Sequence, residues 1–264
     1  MKKSLIALAV VGAFTSSAFA EGSNVQLYGI IDLGVTHFTG LRPSSGTGTV
    51  SSTGLDSGGQ SSSRIGLKGS EDLGGGLKAI FQAETGFCAA GTNQNTDGKG
   101  GNSSGYCSGG GFMQRTSIVG LTGGFGTVVA GRMNTPLWNA ELAADPFGGG
   151  LTGNIDNISN VRFAKVQRAN QTVAYVSPDL MGFTGTAVYS FAPTSATVNL
   201  AQGGSTTRAW ELNGGYNNGP VFASLDYLRV TNFNGAPNSS TGDAAKHWQV
   251  TGGYDFGIAK VTGL

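Results

Sequence analysis

Trp210-Glu211-Leu212-Asn213-Gly214-Gly215-Tyr216 returns further along the chain as Trp248-Gln249-Val250-Thr251-Gly252-Gly253-Tyr254. A side-chain period of two puts Trp, Leu or Val, Gly and Tyr on one face. Glu211, Asn213, Gln249 and Thr251 fall on the other. Each Trp follows a long polar stretch and each Tyr precedes a short turn; Tyr175 also stands before a turn. An apolar face with aromatics at both ends, backed by a polar face, is what a strand needs between lipid and water. A soluble sandwich also alternates, but its outer face is polar and its loops need not alternate in length.

The same alternation runs outward in both directions. Strands are expected at residues 25–35, 63–68, 77–87, 115–121 and 127–132, then at 168–176, 183–191, 208–216, 221–230 and 247–254, with an eleventh begun at 258–264. In the first, Val25, Leu27, Ile31, Leu33 and Val35 share one face, and Gln26, Asp32 and Thr36 the other. Short turns alternate with long polar stretches, the first of them residues 37–60. Short turns at one end and long loops at the other characterise outer-membrane barrels. The expected fold is therefore all-β, an antiparallel transmembrane β-barrel.

Composition agrees. Of 264 residues only 12% are charged and 46 are glycine, against roughly 25% charged in a soluble domain. Beyond the first twenty residues no apolar run approaches the ~18 residues of a membrane helix. Alternating strands average out and leave no such signal. Lys2-Lys3, the apolar residues 5–14 and Ala18-Phe19-Ala20 make residues 1–20 a secretory signal peptide cut before Glu21. The barrel domain is then 21–264. Without the leader, 14 basic residues face 15 acidic ones, which argues against a nucleic-acid partner. Cys88 and Cys107 sit in one long loop in an oxidising compartment and are expected to pair.

One segment breaks the pattern. From Arg132-Met133-Asn134-Thr135-Pro136 to Lys165-Val166-Gln167-Arg168 no strand alternation or helical stripe is evident. A structureless connection of this length in a compact domain is usually functional. It is expected to lie inside the barrel over about 133–163, with Glu141 and Asp145 facing bases on the wall. Arg64, Arg115 and Arg168 fall on the polar side of their strands, and Arg132 is grouped with them at the pore constriction.

Catalytic signals are weak. His37 and His247 lie far apart and, with two cysteines in one loop, make no metal-ligand spacing. Gly98-Lys99 is followed by Gly100, which is wrong for a phosphate loop. No metal, cofactor or catalytic residue is expected, and the chain is not read as an enzyme. Competing readings are a barrel enzyme or adhesin, and a secreted β-rich binding module that dissolves without detergent.

Four stretches carry a family resemblance. They are Val25-Gln26-Leu27-Tyr28-Gly29, the run from Ser62-Ser63-Arg64-Ile65-Gly66-Leu67-Lys68 to Gly76-Leu77-Lys78-Ala79, Gly123-Gly124-Phe125-Gly126-Thr127-Val128-Val129-Ala130-Gly131-Arg132, and Tyr175-Val176-Ser177-Pro178. Together they resemble the Gram-negative general porins, most closely the β-proteobacterial type. The resemblance implies a 16-stranded barrel assembled as a homotrimer in outer-membrane lipid. It also implies a third loop folded into a water-filled pore that passes ions and small hydrophilic solutes by passive diffusion. Arg64, Arg115 and Arg168 would form the basic cluster of the wall, and residues 141–150 the acidic part of the loop. Family members end on a closing strand, whereas this chain stops inside its eleventh. The expectation is a fragment of a longer product, unable to insert alone because hydrocarbon cannot satisfy an open strand edge.

Overall fold

A computed structural model of the chain describes residues 24–41, 48–90, 112–150, 155, 167–191, 208–231 and 244–264. Residues 1–20, Cys107 and most of 151–166 lie outside the described residues, so the expected leader, disulfide partner and later part of the inward loop do too.

The strands are β1 (Asn24–Ile30), β2 (Leu33–Leu41), β3 (Val50–Ser57), β4 (Arg64–Gly74), β5 (Leu77–Gly86), β6 (Thr116–Gly123) and β7 (Gly126–Asn134). They continue as β8 (Arg168–Val176), β9 (Phe183–Ser190), β10 (Arg208–Asn218), β11 (Val221–Thr231), β12 (Ala245–Asp255) and β13 (Lys260–Gly263). One sheet of eleven strands runs β1-β4-β5-β6-β7-β8-β9-β10-β11-β12-β13, and β2 and β3 form a second, two-stranded sheet. Every pairing is antiparallel. Each of the eleven strands read from alternation has its counterpart in the large sheet, in sequence order, the first only as far as Ile30, since residues 33–35 open β2.

Two sequence expectations need correction. Residues 37–60 hold strand structure: the chain breaks at Ile31 and Asp32 and continues outward as the β2–β3 hairpin. Asp32 makes the break. Its Oδ2 accepts the backbone N–H groups of Gln60 and Ser61 at 3.0 and 2.6 Å, and its own N–H donates to Ser63 Oγ at 3.0 Å. A carboxylate occupied by backbone donors at a strand end replaces the ladder there.

The segment after β7 is not structureless either. It opens with helix α1 (Pro136–Ala144). Thr135 caps it, its Oγ1 accepting the Trp138 N–H at 3.3 Å, and Pro136 occupies the first turn. Thr-Pro before Leu-Trp-Asn-Ala-Glu-Leu-Ala-Ala is a start signal followed by good helix formers. No stripe betrayed the helix because its buried residues are chemically mixed: Leu137, Trp138, Ala140, Glu141 and Ala144.

The polarity of the sheet is inverted relative to a water-soluble domain. Val25, Leu27, Ile65, Leu67, Val119, Leu121, Val173, Leu212, Leu225 and Val250 are exposed, while Glu84, Arg115, Thr172, Ser190, Glu211, Asp226, Gln249 and Thr251 are buried. An apolar surface running across the whole sheet would drive aggregation in water; in a bilayer it meets its own solvent. Aromatic rows border it. Near the long-loop ends Trp210 contacts Tyr227 at 5.0 Å between ring centres, and Tyr227 contacts Trp248 at 4.2 Å. Near the short turns Phe183 meets Tyr216 at 4.6 Å and Tyr254 meets Phe256 at 4.5 Å. Six residues separate Trp210 from Tyr216, or about 20 Å of strand.

Candidate functional site

The polar face of β4 to β6 carries a compact ion cluster. Glu84 on β5 is its centre. Its Oε1 accepts from Arg115 Nε at 2.5 Å, and its Oε2 lies 3.6 Å from Arg64 Nε. Tyr28 Oη donates to Glu84 Oε2 at 3.0 Å and accepts from Gln82 Nε2 at 2.7 Å. Arg64 Nη1 is held by Ser61 Oγ and the Ser62 carbonyl, both at 3.0 Å. Local structure makes this possible. Tyr28 lies directly opposite Gly66, and a Cβ on Gly66 would come within 2.5 Å of the Tyr28 ring. Only glycine lets the phenol cross its neighbour to reach Glu84. Arg115 stands one residue before β6, its N–H bonded to the Glu84 carbonyl at 3.1 Å. Two guanidiniums share one carboxylate.

Helix α1 lies on the other half of the same polar face. Glu211 Oε1 on β10 accepts the Leu137 N–H at 2.5 Å. Gln249 Nε2 on β12 donates to the Leu137 carbonyl at 3.4 Å. Thr262 Oγ1 and Lys260 Nζ on β13 donate to the carbonyls of Ala144 and Ala143 at 2.5 and 3.4 Å. Leu137, 1% exposed, packs with Ala169, Ala209, Leu228 and Val230. The wall thus satisfies backbone groups at both helix ends that the helix itself leaves orphaned.

From the helix the chain crosses back. Asp145 ends α1, its N–H donating to the Glu141 carbonyl at 2.9 Å. Its carboxylate accepts the N–H groups of Phe147, Gly149 and Ile155 at 3.0, 2.8 and 3.3 Å. Gln60 Nε2, from the link between β3 and β4, donates to the Phe147 carbonyl at 2.8 Å. One short stretch therefore touches β10–β13 at one end and the β3–β4 link at the other. Those positions lie many strands apart in the sheet order, so the sheet curves around the segment.

The sequence-derived residues divide accordingly. Arg64 and Arg115 come together, joined by Glu84, which no motif in the sequence named as their partner. Arg168 opens β8 opposite Asn134 and is half-buried. Glu141 is buried within α1. Asp145 turns its carboxylate onto its own loop instead of the wall. Arg132 is placed differently from Arg64 and Arg115. It pairs directly with Ser117, on the face of exposed Val119 and Leu121, because cross-strand partners share a face. Its guanidinium donates to Asn170 Oδ1 and the Gln114 carbonyl. Glu211 and Gln249 were read as polar-face residues, but their hold on α1 was not legible. Among the described residues no group of three or more His, Cys, Asp or Glu side chains could hold a metal ion.

Known proteins resemble this chain. A family model described as Gram-negative porin matches residues 7–264. The major outer membrane protein P.IB of Neisseria gonorrhoeae is 36% identical over 224 residues, covering 84% of this chain and 56% of that protein. Outer membrane porin protein 32 of Delftia acidovorans is 35% identical over 271 residues, covering 100% of this chain and 69% of the relative. Among solved structures, the anion-selective porin from Comamonas acidovorans superposes with a TM-score of 0.65 at 30% identity, covering 91% of this chain and 66% of that one. The chain spans little more than half the length of the gonococcal relative.

Proposed function

Because the chain belongs to the Gram-negative porin family, a family of the outer membrane, we propose that it supplies the wall and constriction of a water-filled pore for passive diffusion of ions and small hydrophilic solutes. The observation that carries this reading is the segment after β7, anchored at both sides of a curved polar face whose back is apolar. The inward loop, about 133–163, narrows the passage, and Arg64 and Arg115 line it opposite α1. We propose that the passage favours anions. A similar chain from Comamonas acidovorans is described as anion-selective. The protein is a channel and not an enzyme, works as a homotrimer in outer-membrane lipid, and loses residues 1–20 on export. Cys88 is disulfide-bonded, and we propose Cys107 as its partner; thiol labelling of the denatured, unreduced protein then finds no free cysteine, and two labelled thiols refute the pairing.

The test is the reversal potential of the complete porin in a planar bilayer under a salt gradient. A unit charge at ~4 Å in water biases an ion by about 1 kcal/mol, roughly fivefold in local concentration. Arg115→Glu therefore shifts the reversal potential toward cations, and the shift shrinks as salt shortens the Debye length below ~10 Å. An unchanged potential would remove Arg115 from the ion path.

A further inference from the structure

We propose that Tyr28 is a positioning residue for anion selectivity: its hydroxyl holds Glu84 off Arg64, so that the Arg64 guanidinium stays available to an oxyanion in the passage. This rests on the pore reading above and adds to it a side chain that carries no charge of its own. Tyr28, Gly66 and Glu84 occupy one rung across β1, β4 and β5. Cross-strand partners share a face, so the three stand together on the polar side. Tyr28 Oη lies 3.0 Å from Glu84 Oε2 and 2.7 Å from Gln82 Nε2. A phenol has a single proton to donate, and a carboxylate only accepts. Because the Gln82 amide donates to Oη, that proton is left for Glu84.

The distances around the carboxylate supply the second reason. Glu84 Oε1 is taken by Arg115 Nε at 2.5 Å. Its Oε2 is within hydrogen-bond range of Tyr28, while Arg64 Nε stands off at 3.6 Å. A charge-assisted guanidinium–carboxylate bond closes to about 2.7–2.9 Å, so Arg64 is held short of one. Its own anchors keep it there, since Nη1 donates to Ser61 Oγ and the Ser62 carbonyl. Arg64 Nη2 makes no hydrogen bond among the described residues, and the side chain is 22% exposed. An open guanidinium N–H in an aqueous pore is a docking point for a carboxylate, phosphate or sulfate oxygen. The ring of Tyr28 has a separate use. Lys68 Nζ lies 5.5 Å from its centre, within the range of a cation–π contact. One aromatic side chain thus stands between two cations, and only its hydroxyl governs how closely Glu84 pairs with the first.

The complete porin carrying Tyr28→Phe is compared with wild type in a planar bilayer under a potassium chloride gradient. Phenylalanine keeps the ring, its crossing of Gly66 and the Lys68 contact, and loses only the proton that Glu84 receives. Arg64 and Glu84 then close on each other. The anion-to-cation permeability ratio falls about twofold, a part of the roughly fivefold bias of a unit charge at ~4 Å in water. The reversal potential moves in the same direction as with Arg115→Glu, and by less. In a Glu84→Gln background Tyr28→Phe produces no further shift, because the hydroxyl acts through that carboxylate. A residue that merely supported the fold would lower stability in both backgrounds and leave the ratio alone. Circular dichroism checks that each variant folds. If Tyr28→Phe does not, Gln82→Ala takes its place: without the amide the hydroxyl proton is no longer directed to Glu84, and the ratio falls in the same sense by less. An unchanged ratio in the folded variant overturns the proposal, as does a rise in anion preference or a shift of equal size in the Glu84→Gln background. Arg115→Glu keeps this test apart from the pore reading. If Arg115→Glu also leaves the potential unchanged, both readings fail; if it shifts the potential and Tyr28→Phe does not, only the role of Tyr28 is lost.

Discussion

The polar face of the sheet has two halves built by the same alternation and put to different use. On β4 to β6 the inward-facing groups are charged and meet each other: Arg64 and Arg115 close on Glu84. On β10 to β13 they are a carboxylate, an amide, a hydroxyl and an ammonium that meet backbone atoms of α1. In the proposed pore the first half presents its charge to a passing solute, and the second holds the element that narrows the passage. A pore needs both, since a charged wall acts strongly on a solute only when an opposing surface keeps the gap small.

The largest expected effect comes from detaching the anchored half. Leu137→Ala removes a fully buried side chain from its cluster and costs about 2–5 kcal/mol. Denaturant midpoints of the complete porin should fall, and single-channel records should show larger, noisier conductance. A quiet wild-type trace from this variant would mean that α1 does not narrow the pore.

Glu84 tests the charged half. Glu84→Gln removes the carboxylate that the buried Arg115 bonds through Nε, at a cost of about 1–3 kcal/mol. Anion preference rises at the same time, visible as a reversal potential displaced in the direction opposite to that of Arg115→Glu. A displacement of the same sign would contradict the arrangement.

Smaller effects separate loop-shaping from selectivity. Thr135→Ala deletes the cap of α1 and costs about 1 kcal/mol, read as a lower thermal midpoint with little change in reversal potential. Asp145→Asn weakens the three backbone contacts of that carboxylate and should act like Thr135→Ala. Were it instead to move the reversal potential as strongly as Arg115→Glu, Asp145 would be a pore acid after all, as its place in the sequence suggested. Arg132→Gln should leave ion selectivity unaltered, because its side chain is on the outer face; a shift comparable to that of Arg115→Glu would break the register assignment.

Period two is a local property, so Val25 and Leu27 against Gln26, or Trp248 and Val250 against Gln249 and Thr251, announce strand and face without any knowledge of the fold. The eleven strands of the large sheet, their order and their aromatic borders were legible for that reason. Helix α1 was legible in principle from Thr135-Pro136 but carried no stripe, because the surface that covers it is mixed, apolar at Leu137 and polar at the groups that hold its backbone. The break at Asp32 depended on backbone donors of Gln60 and Ser61, far along the chain. Arg132 was grouped with the pore arginines from sequence alone, and its pairing with Ser117 is a tertiary fact that the sequence did not carry. Which arginines share Glu84, and which strands receive α1, follows from curvature that brings the β3–β4 link and β13 to opposite ends of one loop. Alternation records the side of the sheet on which a residue lies; the meeting of residues across that sheet is a long-range consequence of its curvature, and only the tertiary structure decides it.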